Sequence, residues 1–437
     1  MTWNIHKNNP FRQVLDNGLV IIVQENHAIP AISISGFVKA GGMYDSQPPA
    51  PFDKGDEQAG CADFVANMLT RGTKNRTWQQ IAEETESVGA SIGVGCGMDA
   101  ASFSARSLSK DFALALDILS DVLRNPTFPE EEIQKHRNQM LSSFKSWDDN
   151  PAQVGEKELR VSIYPSGHPY HRRLQGYEET ISKFGRYNLL DFHRRYYRPE
   201  ATILAVVGDI DANEAIAKIR ELFGDWRSVV DPPAAFVIPP VEMREASKKI
   251  VSMMDKSQVE IFLGHKGISR TNPDFYAVDL MNRILGGSAG LGRLFNYVRD
   301  VQGLAYGVWS SFSAGIGEGP FIATAGVNPQ NVEQAIQSIL NEISRLRNDG
   351  ITEQELADAK EMLIGNFSLS METSSGIANV LLTSEMFELG LDYPKRHEQI
   401  YRAITKEQVE QAAREYLHPE KCSLVIAGPY TELGSRK

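Results

Sequence analysis

The 437-residue chain sets 45 Lys and Arg against 56 Asp and Glu, a formal charge of −11, and shows no basic stripe able to neutralise a run of phosphates. No nucleic-acid partner is expected. Hydrophobic residues at 42% and charged residues at 23% suit a folded chain with a large core, and no stretch reaches the ~18 apolar residues of a membrane span.

The opening MTWNIHKNNPFRQV has neither the apolar core of a secretory signal nor the Arg-rich pattern of a transit peptide, so the expected address is the cytoplasm. Next, LVIIVQ (19–24) and AISISGFVKA (31–40) alternate around a turn like hairpin strands. GCADFVANML (60–69) then places Phe64 over Met68 and Val65 over Leu69, an apolar helical face opposite Asp63, Ala66 and Asn67. TWQQIAEETESVGA (77–90) is a helix capped by Thr77. FPEEEIQKHRNQMLSSF (128–144) carries acids in its first turn and an apolar stripe behind them. In HPYHRR the residues His168 and His171 are three apart, but Pro169 between them denies a regular helix face, so a surface turn is expected and not a metal pair. The three cysteines, Cys61, Cys96 and Cys422, form no CxxC pair and are expected as small buried hydrophobes in a reducing compartment.

The Pro pairs of DPPAAFVIPP (231–240) predict an extended strap between folded units. The two sides of it resemble each other. RYYRPEATILAVVGD (195–209) returns as EYLHPEKCSLVIAGP (415–429), with Tyr196, Pro199, Glu200 and Gly208 matched by Tyr416, Pro419, Glu420 and Gly428, each 220 residues on. FPEEEIQKHRNQMLSSF returns as ITEQELADAKEMLIGNF (351–367). A repeat this long is a duplicated domain, giving domains at 1–230 and 246–437 around a linker at 231–245. Strands and helices mixed without strict βαβ alternation predict an α+β fold, each domain a mainly antiparallel sheet with helices packed on one face.

In the second half, ILGGSAGLGRLFNYVRDVQGLAYGVWSSFSAG (284–315) has Gly286, Gly287, Gly290 and Gly292 opening a short helix, with Arg299 near its end and Gly303-Leu304-Ala305-Tyr306 starting a strand. No GxxxxGK[ST] is present, so the glycines do not indicate a nucleotide site.

Asp63, Ala66 and Asn67 hold the i, i+3, i+4 spacing at which an inverted HxxEH motif sets two imidazoles on zinc and a glutamate beside its water. The frame G-x-A-H-F-L-E-H-M-x-x-x-G-T of the pitrilysin-type (M16) metallopeptidases resembles this stretch, which keeps Gly60, Ala62, Phe64, Met68, Gly72 and Thr73. NGLVIIVQENHAIPAISISGFVKAGGMYD, SGHPYHRRLQG, YYRPEATILAVVGD and the duplication follow in family order, so the resemblance spans nearly the whole chain and points to the M16B branch. It implies two α+β domains of the LuxS/MPP-like metallohydrolase type, forming a half-shell that closes with a second one around a peptide chamber. The loop DSQPPAPFDKGDEQ (45–58) is longer than is usual in the family.

The departures carry the functional reading. Asp63, Ala66 and Asn67 stand where the family has His, Glu and His, and the third ligand, a Glu on a later helix, falls at Ser142 or Ser143. An Asn amide is a poor zinc ligand, and Ala66 leaves no general base. The resemblance implies that Arg299 and Tyr306, seven residues apart, bind the scissile carbonyl and its oxyanion at a zinc held by another half, with Gly286 and Gly287 near the substrate. The structural alternative is that Arg299 caps helix carbonyls and Tyr306 is a half-buried strand aromatic. The expected molecule is the non-zinc subunit of a heterodimeric zinc peptidase. Its partner would be a chain of similar size with an intact HxxEH, and its substrate a peptide or unfolded segment. The rival is a non-enzymatic scaffold or peptide-binding protein of the same fold.

Overall fold

A computed structural model describes residues 9–45, 57–231, 237–287 and 292–431. The first half runs β1 (Phe11–Val14), β2 (Val20–Glu25), β3 (Ala31–Val38), α1 (Cys61–Met68), α2 (Trp78–Glu86), β4 (Ser91–Cys96), β5 (Ala101–Leu108), α3 (Phe112–Arg124), α4 (Glu130–Asp148), α5 (Pro151–Ile163), α6 (Glu178–Ile181), α7 (Arg186–Tyr196), β6 (Thr202–Gly208) and α8 (Ala212–Phe223). The second runs β7 (Lys248–Ser252), β8 (Val259–Lys266), α9 (Phe275–Gly286), a π-helix (Phe295–Val301), β9 (Ala305–Phe312), β10 (Pro320–Val327), α10 (Val332–Asp349), α11 (Glu353–Ser370), α12 (Ser374–Met386), α13 (Tyr393–Ala403), α14 (Lys406–Tyr416) and β11 (Ser423–Gly428). Of the strap, residues 232–236 lie outside the described residues, and 237–245 form neither helix nor strand.

The described residues form two sheets, in the orders β1-β2-β6-β3-β5-β4 and β7-β11-β8-β10-β9. Every pairing is antiparallel except β2 with β6 and β7 with β11. With β1 set aside, the orders superimpose: β2 answers to β7, β6 to β11, β3 to β8, β5 to β10 and β4 to β9. The first α-helix after the third of these strands, α1 after β3, therefore answers to α9 after β8. The duplication is real at the level of topology.

The expected pairing of 19–24 with 31–40 does not form. β6 lies between them, parallel to β2 and antiparallel to β3. All seven residues of β6 are buried, and only a central position buries a strand on both faces. The hairpin at this end is β1 with β2, turning through Asp16-Asn17-Gly18 with Gly18 at φ 88°.

The chain packs as two compact units that do not follow the division at 231–245. One comprises 1–142, 173–237 and 368–395, the other 143–172, 238–367 and 396–437. Within the first, α12 lies on β3 and β6; within the second, α5 lies on β8 and β11. Each half thus gives one helix to the sheet of the other. In the second unit Val259, Ile261 and Leu263 of β8 enter the core with α9 and α10, while Phe262 points the opposite way. A Cβ at Gly155 of α5 would stand 2.4 Å from the Phe262 ring, so this helical glycine admits the aromatic. Helices therefore cover both faces of the central strands, one more layer than expected.

The turn at 168–171 is not a surface turn. His168 is buried, its ring stacked on Tyr164 at 4.8 Å, with Nδ1 accepting the Tyr170 N–H at 3.1 Å. His171 Nδ1 meets the Tyr164 carbonyl at 2.9 Å. Pro169 makes the bend, and ring stacking draws it inward.

We predict that Gly155→Ala destabilises the protein by about 1–3 kcal/mol through overpacking against Phe262, outweighing a helix-propensity gain of about 1 kcal/mol. Phe262→Leu in the same chain should recover most of the loss. A denaturation double-mutant cycle measures it, and strictly additive effects would contradict this seating of α5.

Candidate functional site

α1 is buried all round and not amphipathic as expected: Cys61, Ala62, Asp63, Phe64, Val65, Ala66 and Met68 are all enclosed, and Asn67 is half-buried. Gly60 precedes it in the left-handed region at φ 92° and has no side chain to cap the helix. Asp45 does so from a distance, accepting the N–H groups of Gly60 and Ala62, each at 2.8 Å. Residues 46–56 of the loop after it lie outside the described residues.

Asp63 keeps 9% of its surface exposed. Burial pushes its carboxyl up to about 6, and a hydrogen bond from Asn67 pulls the other way. Asn67 Nδ2 also donates to the Asp63 main-chain carbonyl at 2.8 Å. Ala66 offers neither ligand nor base. Ser143 is half-buried on α4, in the part belonging to the second unit. One carboxylate and one amide do not make a zinc ligand set, and among the described residues no group of three or more His, Cys, Asp or Glu could hold a metal ion. Cys61 and Cys422 are buried and Cys96 is half-buried; all three are free thiols.

Arg299 and Tyr306 belong to the second unit and sit on two backbone irregularities. Arg299 lies in the π-helix, a form that recurs at functional sites. Its guanidinium rests 4.4 Å above the Phe295 ring and reaches Asp300 at 3.4 Å, so it is not a carbonyl cap. Gly303, at φ 64°, returns its N–H to the Arg299 carbonyl at 2.9 Å and closes the turn into β9. On β9, an edge strand, Val308 and Ser310 face inward. Strict alternation would send Tyr306 inward too. A β-bulge intervenes: Gly307 pairs with Gly326 and Ala305 with Val327, leaving Tyr306 the extra residue. Ala305 takes the inward place, and Tyr306 stands with 83% of its surface exposed. It is no half-buried strand aromatic.

Gly286 ends α9 and Gly287 caps it; both are buried and precede the next helix without opening it. A Cβ on Gly286 would stand 2.5 Å from Ser310 Oγ, so its bareness lets the helix end meet β9. Gly290 lies outside the described residues.

The profile of the family described as Insulinase (Peptidase family M16) matches residues 20–174, and that described as Peptidase M16 inactive domain matches 183–363. Together the two spans take in well over half of the sequence. The chain belongs to the M16 peptidase family. An M16 relative from Bacillus subtilis, the uncharacterized zinc protease YmxG, is 26% identical over 421 residues, 96% of this chain and 98% of that protein. The crystal structure of a peptidase M16 inactive domain from Pseudomonas fluorescens is 29% identical and superimposes with a TM-score of 0.88, covering 97% of this chain and 99% of that one. A protease from Helicobacter pylori shares the fold at 18% identity, with a TM-score of 0.86 over 97% of this chain and 99% of that one. The α+β class and the two-sheet architecture of the M16 fold hold along nearly the whole chain, and no described helix is long and apolar enough to cross a membrane.

Sequence reasoning missed three features of this M16 chain: the capping role of Asp45, the bulge under Tyr306, and a pocket beside β9. Asp45 lies 15 residues before Gly60, beyond the reach of any local capping signature.

Asp63 yields a pH prediction. Its folded pKa lies above the unfolded value of 3.8, so the folded state holds the proton more tightly between about 4 and 6. Stability therefore falls as pH rises through that window, and above it the full cost remains. The gap of roughly two units corresponds to a cost on the order of 3 kcal/mol. We predict that Asp63→Asn raises the melting temperature at pH 7.5, changes it little near pH 3.5, and flattens the slope between. An unaltered slope would show that Asp63 is not the group responsible.

Proposed function

We propose that this chain is the non-zinc subunit of a heterodimeric M16 zinc peptidase of the M16B type, acting in the cytoplasm. It contributes wall surface to a peptide chamber, and Arg299 and Tyr306 bind the scissile carbonyl. A partner chain of similar size with an intact HxxEH supplies the zinc, the base and the edge strand on which an extended peptide adds. The substrate is a peptide or an unfolded segment.

The observation that carries this proposal is the exposure of Tyr306. A phenol turned outward by a bulge has no packing role in its own unit, and a guanidinium seven residues away stands on the preceding π-helix. Fixed donors of these two kinds suit the oxyanion that forms when zinc-bound water attacks a carbonyl. A relative is named a zinc protease, whereas α1 here lacks the donors for zinc, and this contrast supports a partner that holds the metal of the proposed enzyme. A scaffold would have no use for a carbonyl-binding pair.

Two measurements test the proposal. After dialysis the purified chain should hold far less than one zinc per molecule and cleave no peptide alone. Near-stoichiometric zinc with chelator-sensitive cleavage would overturn the assignment. In the complex co-expressed with an HxxEH-bearing chain, Tyr306→Phe should lower kcat by about 10²–10³, the usual cost of one oxyanion donor. Arg299→Ala should cost at least as much and raise KM if the guanidinium also grips the ground state. Thermal midpoints of both variants should stay near wild type. Unchanged kcat in a complex of normal composition would favour the scaffold.

A further inference from the structure

The duplication gives α1 a counterpart, and the counterpart has its own polar trio. Asp279, Asn282 and Arg283 stand on α9 at the same i, i+3, i+4 spacing as Asp63, Ala66 and Asn67 on α1. In α1 Asp63 and Ala66 are buried and Asn67 is half-buried. In α9 the trio forms the polar floor of a pocket of about 760 Å³, within the range of roughly 300–1,000 Å³ typical of small-ligand sites. Phe275, Phe295, Trp309 and Phe312 wall the pocket.

The floor is held in place. The Asp279 carboxylate accepts the Tyr401 hydroxyl at 2.6 Å. Asn282 bridges to β9, with Nδ2 donating to the Ser310 carbonyl at 3.2 Å and Oδ1 accepting Ser310 Oγ at 2.8 Å. The Arg283 cation argues against a metal ion, and the Arg270 guanidinium 3.9 Å above the Phe275 ring argues against a second organic cation. Ring-lined walls favour another ring in offset or edge contact. A carboxylate beside a guanidinium favours a head group that both donates and accepts a hydrogen bond, as a phenol does.

We infer that the second unit carries a ligand site on α9 and β9 that takes a phenolic ring, either as a free small molecule or as a tyrosine side chain of a polypeptide. Phe295 is shared between this pocket and Arg299, whose guanidinium lies on the same ring, so an occupant would sit against the support of that arginine. The site stands independently of the peptidase proposal, and a binding measurement on the single chain tests it without a partner or activity.

Ligand-observed NMR titrations with p-cresol, and separately with the blocked peptide acetyl-Gly-Tyr-Gly-amide, should show saturable binding to the wild-type chain. A Cβ at the pocket-lining Gly307 meets nothing within 4 Å, so Gly307→Phe adds a ring at the pocket without a backbone clash. It should weaken binding at least tenfold. Ser311→Trp, at another pocket-lining position, should do the same, and Leu369→Ser, an exposed apolar site in the first unit, should change nothing. Thermal melts confirm that the variants are folded. Binding of p-cresol alone assigns a small-molecule ligand, and tighter binding of the peptide assigns a polypeptide one. No saturable binding by either probe, or equal affinity in both filled variants, overturns the inference.

Discussion

A strand buried on both faces needs two covers, and that constraint organises the molecule. β6 is enclosed along its whole length, and β8 turns Phe262 away from the core that holds Ile261 and Leu263. Helices of the same half cover one face. The second face is closed by a helix from the other half, α12 on β3 and β6, α5 on β8 and β11. A cut at the Pro-rich strap would strip a cover from each sheet, so the duplicated sequence halves are not the units that bury a core. Gly155 shows how closely the cover fits: its missing side chain is filled by an aromatic ring.

The same logic explains why α1 survives without metal ligands. Its remaining contacts are those of a core helix. Phe64 meets the rings of His136 and Phe184 edge-on at 4.7 and 6.1 Å, and Asp45 satisfies two amides at its start. Within this packing Ala66 is buried and Asn67 half-buried. Asp63 is the residue at which enclosure is costly, with burial opposing its charge.

The parts of this arrangement that were legible in the sequence are those written in local chemistry. Thr77 caps α2 as expected, and the structure adds a reciprocal bond with Gln80. The matching Pro199 and Pro419 turns lead into β6 and β11, and α4 and α11 begin at matching acidic residues. What depended on distant partners was not legible. Nothing near residues 19–40 indicates that a strand from position 202 will separate β2 from β3. His168 looked like a surface residue because the ring it stacks on is visible only once the turn has folded. The i, i+3, i+4 trio of α1 was noticed because a metal motif shares its spacing, whereas the trio of α9, with an Arg at its third place, resembles no ligand set and becomes visible only through sheet topology.

The resemblance to the M16 family picks out Arg299 and Tyr306 as a pair, but the exposure of Tyr306 is a matter of backbone geometry. A regular α-helix followed by a regular strand would make inward packing the default for position 306, since Val308 and Ser310 fix the alternation. Two departures change that. The π-helix and the left-handed Gly303 set where the chain enters β9, and the bulge at the strand's start exchanges Tyr306 for Ala305 on the inner face. The bulge leaves a ladder position unpaired and places a large ring in solvent, neither of which stabilises this unit on its own. Irregularities that carry a local cost and aim a side chain outward are accounted for by what that side chain meets. On the proposed function, what Tyr306 meets is a ligand supplied from outside the second unit.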